Sequence, residues 1–268
     1  PSNITPEFQQ ILDDNPYLRS SFEQQFIAGL TYTFTYNELV DSKIKNPIYF
    51  STNFDTAGNL IDLFAKDHDN DGINTLLGLE YSQYIKADID FRYYFKPGDS
   101  QFLIGRIYAG MGLPYGNSAT MPYSQQFFSG GPYSVRAFRI RSLGPGSYEP
   151  DSENASETYY DQAGNIRLEA NVEYRFPLFS YLKGALFADA GNVWLSQESE
   201  SYPGGKFTSD FINELGIGVG VGIRLDIQNF VIRADVATPI NTPYLKPGER
   251  AKFNLNGTIL NFAIGYPF

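Results

Sequence analysis

A chain of 268 residues with 20 Tyr, 22 Phe, 25 Gly, a single Trp and no Cys has no apolar run approaching the roughly twenty residues that a membrane helix needs. Its net charge of −10 argues against a nucleic-acid partner, because phosphate binding requires a basic surface. The absence of Cys excludes disulfides, thiolate metal sites and cysteine nucleophiles. A transmembrane β-barrel stays open, since half of each strand faces a polar lumen and dilutes the hydropathy signal.

In chain order, residues 1–21 read as an extracellular loop carrying a short helix. Thr5 can cap it, Pro6 suits its first position, Phe8, Ile11 and Leu12 share a face, and Asn15-Pro16 ends it. From Phe26 onward, period-two alternation dominates and helical periodicity is nearly absent. In a strand near 22–37, Phe26, Ala28, Leu30, Tyr32, Phe34 and Tyr36 oppose Gln25, Thr31, Thr33 and Thr35. A strand near 47–55 follows. Near 76–96, Leu77, Leu79, Tyr81, Ile85, Ala87, Ile89, Phe91 and Tyr93 oppose Glu80, Lys86, Asp88, Asp90 and Arg92.

After a strand near 100–112 comes a long connection, 113–163, then a strand near 164–177 with the clearest pattern of all. Arg167, Glu169, Asn171, Glu173 and Arg175 lie on one face, and Leu168, Ala170, Val172, Tyr174 and Phe176 on the other. Such a row of charged and amide groups opposite a purely apolar row fits a lumen on one side and lipid on the other. Strands near 181–195, 212–227, 230–240 and 257–268 complete the set. In the second of these, Leu215, Ile217, Val219, Val221, Ile223, Leu225 and Ile227 alternate with Gly216, Gly218, Gly220, Gly222, Arg224 and Asp226.

The connections near 96–100, 176–181 and 228–229 are short, whereas 56–75, 113–163, 196–211 and 241–256 are long. Segregation of this kind marks an outer-membrane barrel with its short turns in the periplasm. The fold class is therefore all-β, a transmembrane antiparallel β-barrel, with residues 22–268 supplying its C-terminal strands. Nine predicted strands are an odd number, and an open sheet would leave unpaired backbone in lipid, so a larger barrel is expected, of about sixteen strands. The start at Pro1, without Met or a signal peptide, is read as that of a mature fragment.

Two loops carry acidic residues. Asp67-His68-Asp69-Asn70-Asp71-Gly72 matches the first half of a calcium loop, but position twelve is Gly78 rather than the bidentate Glu such loops require. Asp67, Asp69 and Asp71 are thus a candidate metal site outweighed by a solvated loop tip. The run from Ser142 to Ile166 holds five acids and no base and reads as an outside-facing loop. With one His and no partnered nucleophile, neither an enzyme nor a cofactor is expected.

Three stretches go beyond a generic barrel. Gly130-Gly131-Pro132-Tyr133-Ser134-Val135-Arg136-Ala137-Phe138, followed by Leu143-Gly144-Pro145, resembles the signature loop of the BamA/TamA-type assembly factors, the bacterial surface antigen superfamily. Arg167-Leu168-Glu169 through Phe176-Pro177-Leu178, and Phe187-Ala188-Asp189-Ala190-Gly191-Asn192-Val193-Trp194, follow at the spacing of that family's last strands. Ala137 departs from the pattern, which usually has Gly there. The resemblance implies that loop 113–163 folds back into the barrel and that Arg136 pairs with Glu173 and Asp189, which alternation independently places inside. The glycine stripe would let the loop approach the wall closely.

The segment Phe262, Ala263, Ile264, Gly265, Tyr266, Pro267, Phe268 is similar to the terminal sorting signal of barrel clients, and alternation puts Phe262, Ile264, Tyr266 and Phe268 on the lipid face. By resemblance, the function is assembly or insertion of outer-membrane proteins through a lateral seam beside the last strand, with Gly265 as its weak point. Implied partners are membrane lipid, nascent outer-membrane proteins and periplasmic or lipoprotein accessory subunits. Alternatives are export of one dedicated partner protein, a passive channel, or an adhesin.

Overall fold

The computed structural model describes residues 5, 25–64, 67–68, 73–149, 161–227, 230–253 and 255–268. Among them, nine strands form one antiparallel sheet in sequence order. They are β1 (Gly29–Asn37), β2 (Ile48–Ala57), β3 (Tyr84–Phe95), β4 (Phe102–Pro114), β5 (Ile166–Phe179), β6 (Leu182–Trp194), β7 (Gly216–Ile227), β8 (Phe230–Asn241) and β9 (Ile259–Ile264). Short turns join β3 to β4, β5 to β6 and β7 to β8 as hairpins, and across the longer connections each strand still pairs with the next in sequence. Strands of 12 residues, such as β3 and β8, reach about 40 Å, enough to cross a bilayer at a tilt. Among the described residues, β1 and β9 do not pair, so the sheet is open at both edges.

The two faces invert the usual arrangement of a soluble protein. Arg136, Glu173, Arg224 and Asp235 are 0% exposed, while Leu30 is 67% and Phe262 71% exposed. Phe34, Ile89, Ile107, Val172, Leu186, Ile223 and Ile232 continue that outward apolar band across the sheet. In water such a surface would drive aggregation; in lipid it is the solvent-matched side, and the polar groups must satisfy one another inside.

Three sequence expectations require correction. The strand expected at 76–96 begins only at Tyr84, because Leu77 (φ 55) and Gly78 (φ 77) form the turn of a separate hairpin, Asn74–Leu76 with Leu79–Glu80. Tyr81, assigned by alternation to the lipid face, is consequently buried, with its hydroxyl donating to Asp62. The strand expected at 212–227 starts at Gly216, after a helical turn over Phe211–Glu214. The last strand ends at Ile264, since Gly265 takes φ 85 and redirects the chain. Phe262 and Ile264 do face outward, but Phe268 is buried against Tyr94 and Ile104 on the lumen face. Tyr266 likewise points inward, its hydroxyl donating to Asp226 at 2.8 Å. The expected helix in residues 1–21 lies outside the described residues, apart from Thr5.

Candidate functional site

The long connection between β4 and β5 folds back over the lumen face. Its root is fastened by Gly112 N–H to the Asn165 carbonyl (2.7 Å) and by pairing of Phe127–Phe128 with Ala163–Gly164. Its tip is built from successive turns: Ser134 N–H donates to the Gly131 carbonyl, Phe138 N–H to that of Val135, and Gly131 N–H to that of Phe138. Gly130 and Gly131 sit at φ 98 and 99, and a Cβ at either would meet Arg139 or Ile140. Those glycines permit the reversal. Ser134 Oγ holds it by accepting from Gly130 N–H (2.9 Å) and donating to Glu169.

The reversal places Arg136 at full burial. Its Nε and Nη2 donate to the two oxygens of Asp189 at 2.7 and 2.9 Å, its backbone N–H donates to Asp189 Oδ2 at 3.1 Å, and Nη1 donates to Glu173. This planar fork matches the bidentate geometry that favours Arg over Lys. The guanidinium also lies 3.5 Å from the ring centre of Phe187, a cation–π contact. Beside it, Val135, Ala137, Phe138 and Leu143 pack with Phe187 and Ala237 as an apolar cluster within the lumen. The Ala137 methyl presses on Gly218, and Leu143 and Phe138 on Gly216. At Gly220 and Gly222, by contrast, the space is taken by the wall's own Phe187 and by Asp235 with Arg224.

Arg136 belongs to a larger network whose members alternation had placed inside without assigning partners. Glu173 also accepts from Arg175 Nε at 2.6 Å and Arg224 Nη2 at 3.0 Å. Asp235 accepts from both Arg224 and Arg233, two arginines that face each other directly in the β7–β8 register. Asn171 Nδ2 donates to Asp189 (3.0 Å) and to the Ser134 carbonyl (3.1 Å). Toward β3, Arg106 links Asp90 with Glu169 and Asn171. Burying this many charges is tolerable only when each is paired and hydrogen-bonded.

The same loop grips the end of the sheet. Asn261 Nδ2 donates to the Arg136 carbonyl at 2.9 Å, and Arg233 bridges the Pro132 carbonyl (2.6 Å) and the Gly265 carbonyl (3.1 Å). Tyr133 donates its hydroxyl to the Ile264 carbonyl. These contacts carry no signal in the sequence beyond the inward parity of Asn261 and Arg233. Just beyond that grip, Arg175 lies over the Tyr266 ring (4.1 Å) and donates to the Phe268 carbonyl (3.3 Å). The third sequence motif stitches loop to wall: Asn192 donates to the Gly146 carbonyl (2.8 Å), and Trp194 Nε1 to Glu214 (2.6 Å). Of the candidate calcium ligands, Asp69 and Asp71 lie outside the described residues; the backbone of Asp67 pairs with Thr75, and its side chain is outside the description.

An outward apolar band, a charged interior and a loop returned into that interior define a class: the wall of an outer-membrane β-barrel with a lumen-inserted loop. The chain belongs to the Omp85 superfamily, whose domain matches residues 23–259, and it is a protein of the Gram-negative outer membrane. It is 28% identical over 208 residues to the outer membrane protein assembly factor BamA of Neisseria meningitidis serogroup B, a match covering 70% of this chain and 26% of that protein. Among solved structures it is similar to BamA from Haemophilus ducreyi lacking POTRA domains 1-3, with 17% identity and a TM-score of 0.48 over 89% of this chain and 54% of the other. CdiB from Acinetobacter baumannii matches at 14% identity and a TM-score of 0.35, over 89% of this chain and 41% of that one. The chain thus spans about a quarter of the curated relative and about half of the first structure.

Proposed function

We propose that this chain serves outer-membrane protein assembly, presenting the edge of its last strand to client strands in the bilayer without covalent chemistry. The observation that carries the reading is the joining of loop and terminal strand in one buried cluster, Arg136 to Glu173 and Asp189 on one side and to Asn261 on the other. A factor that pairs clients with its own edge needs that edge held in register, as in strand addition generally. Gly130, Gly131, Val135, Arg136, Ala137 and Phe138 form the loop tip in this reading, with Arg136, Glu173 and Asp189 as its anchor. Phe262, Ile264, Gly265, Tyr266 and Phe268 mark the seam and the chain's own sorting signal. Clients are nascent outer-membrane proteins; lipid and accessory subunits complete the set of partners.

The test is to make Arg136→Ala the only copy in the cell and quantify several unrelated outer-membrane barrels. A general fall, with the variant itself present at normal amounts, supports assembly. Loss of one secreted partner alone would favour dedicated export, and unchanged levels of all barrels would overturn the proposal.

A further inference from the structure

The outer edge of β9 has a definite polarity that can be worked out rung by rung. In an antiparallel ladder, alternate residues direct their N–H and C=O to one neighbour and the residues between direct theirs to the other side. Gly265 N–H donates to the Val231 carbonyl at 2.8 Å. The residues in step with it, Ala263, Asn261 and Ile259, therefore bond to β8, and Leu260, Phe262 and Ile264 aim their backbone groups at the edge away from β8. Among the described residues no strand lies on that edge. One of its acceptors is nevertheless taken, because the Tyr133 hydroxyl donates to the Ile264 carbonyl.

Tyr133 is itself held. Arg233 lies over its ring, 4.8 Å from the centre, and donates on one side to Pro132, the residue before it, and on the other to Gly265, the residue after Ile264. One arginine thus bridges loop tip and strand end beside that phenol bond. That arginine is fixed by Asp235, which Arg224 also contacts. The phenol arrives as a pre-positioned donor, so little freedom is lost in making the bond.

We propose that Tyr133 is a positioning residue that acts as a register stop on the edge of β9. While its hydroxyl holds the Ile264 carbonyl, a strand added at this edge can pair with Leu260 and Phe262 but not with Ile264. Release of the phenol opens the last rung next to the Gly265 turn, where the chain leaves the sheet. The inference rests on the strand-addition reading above and names the group that limits it. The preferred partner is an extended client strand, recognised by backbone hydrogen bonds and not by a particular side chain.

The experiment compares the protein with Tyr133→Phe, which keeps the ring and removes only the hydroxyl, both reconstituted in lipid vesicles. Hydrogen–deuterium exchange is read on peptides covering residues 257–265, with β5 and β6 as internal controls. One hydrogen bond of ordinary net strength corresponds to about two- to tenfold in local opening. The expected result is acceleration of that order at 257–265 with the controls unchanged; equal exchange in the two proteins would overturn the latch. A synthetic peptide copying residues 257–268 then probes the edge. Tighter binding to Tyr133→Phe supports the register stop, and equal affinity for both proteins refutes it. Failure of the peptide to bind either protein counts against the strand-addition reading, and the exchange result still decides the latch.

Discussion

Arg136→Ala should not damage its two acidic partners equally. Glu173 retains Arg175 at 2.6 Å and Arg224 at 3.0 Å after the change. Asp189, 1% exposed, loses the bonds from Nε and Nη2 and keeps only the backbone N–H of residue 136 and Asn171. Stranding a buried charge in this way costs about 3–5 kcal/mol, and nearly all of it should fall on Asp189. Adding Asp189→Asn to Arg136→Ala should therefore recover more than half of the loss. Adding Glu173→Gln should recover little or make matters worse, since Arg175 and Arg224 also depend on that carboxylate. The assay is urea unfolding in lipid vesicles, arranged as two double-mutant cycles, with protease sensitivity of the loop as an independent readout. Arg136→Ala costing less than about 1 kcal/mol, the value of a solvated ion pair, would refute the anchor. So would additivity with Asp189→Asn within about 0.5 kcal/mol.

Three further outcomes are expected. Gly218→Ala should destabilise by about 1–3 kcal/mol through overpacking, because its methyl would overlap that of Ala137; Ala137→Gly in the same protein should relieve most of this in the same unfolding assay. Phe268→Ala should cost about 3 kcal/mol, as for a buried aromatic, and a shift in unfolding midpoint worth less than about 1 kcal/mol would mean that the ring does not sit among Tyr94, Ile104 and Phe102. Single cysteines at Ser152 and Ser199 should react with an impermeant thiol reagent on intact cells while one at Gln228 stays unlabelled, against a background with no native Cys; the opposite pattern would invert the topology.

The strands were legible because a barrel wall writes its two solvents into alternate residues. From Lys86 to Arg92 and from Arg167 to Arg175 every inward polar residue could be read directly. The pairing of Arg136 was legible only through motif resemblance, since periodicity says which residues face inward but not which of several carboxylates lies within reach. Alternation misled where the backbone changed hand. Tyr81 keeps the parity of the strand that follows it, yet Leu77 and Gly78 put a turn before it, and Tyr81 is buried. Tyr266 and Phe268 keep the parity of Phe262, yet the positive φ of Gly265 carries them to the other side. A glycine in a strand pattern permits such a turn without announcing it. Tyr133 could not have been found at all, because its partner is a main-chain carbonyl 131 residues away.

The facing of Arg224 by Arg233 has a consequence for the order of events during folding. The β7–β8 ladder pairs Ile227 with Phe230 across a two-residue connection, so the hairpin's own geometry sets like charges opposite each other. Within the hairpin, among the described contacts, Asp235 is the carboxylate that both arginines reach, and directly opposed like charges destabilise a strand pair. The second carboxylate, Glu173, comes from β5, with β6 lying between. A hairpin of β7 and β8 alone should therefore be transient, and the C-terminal half of the wall should close as one cooperative event once β5 has arrived. The two opposed arginines should then delay commitment of the late strands until the earlier ones are in place.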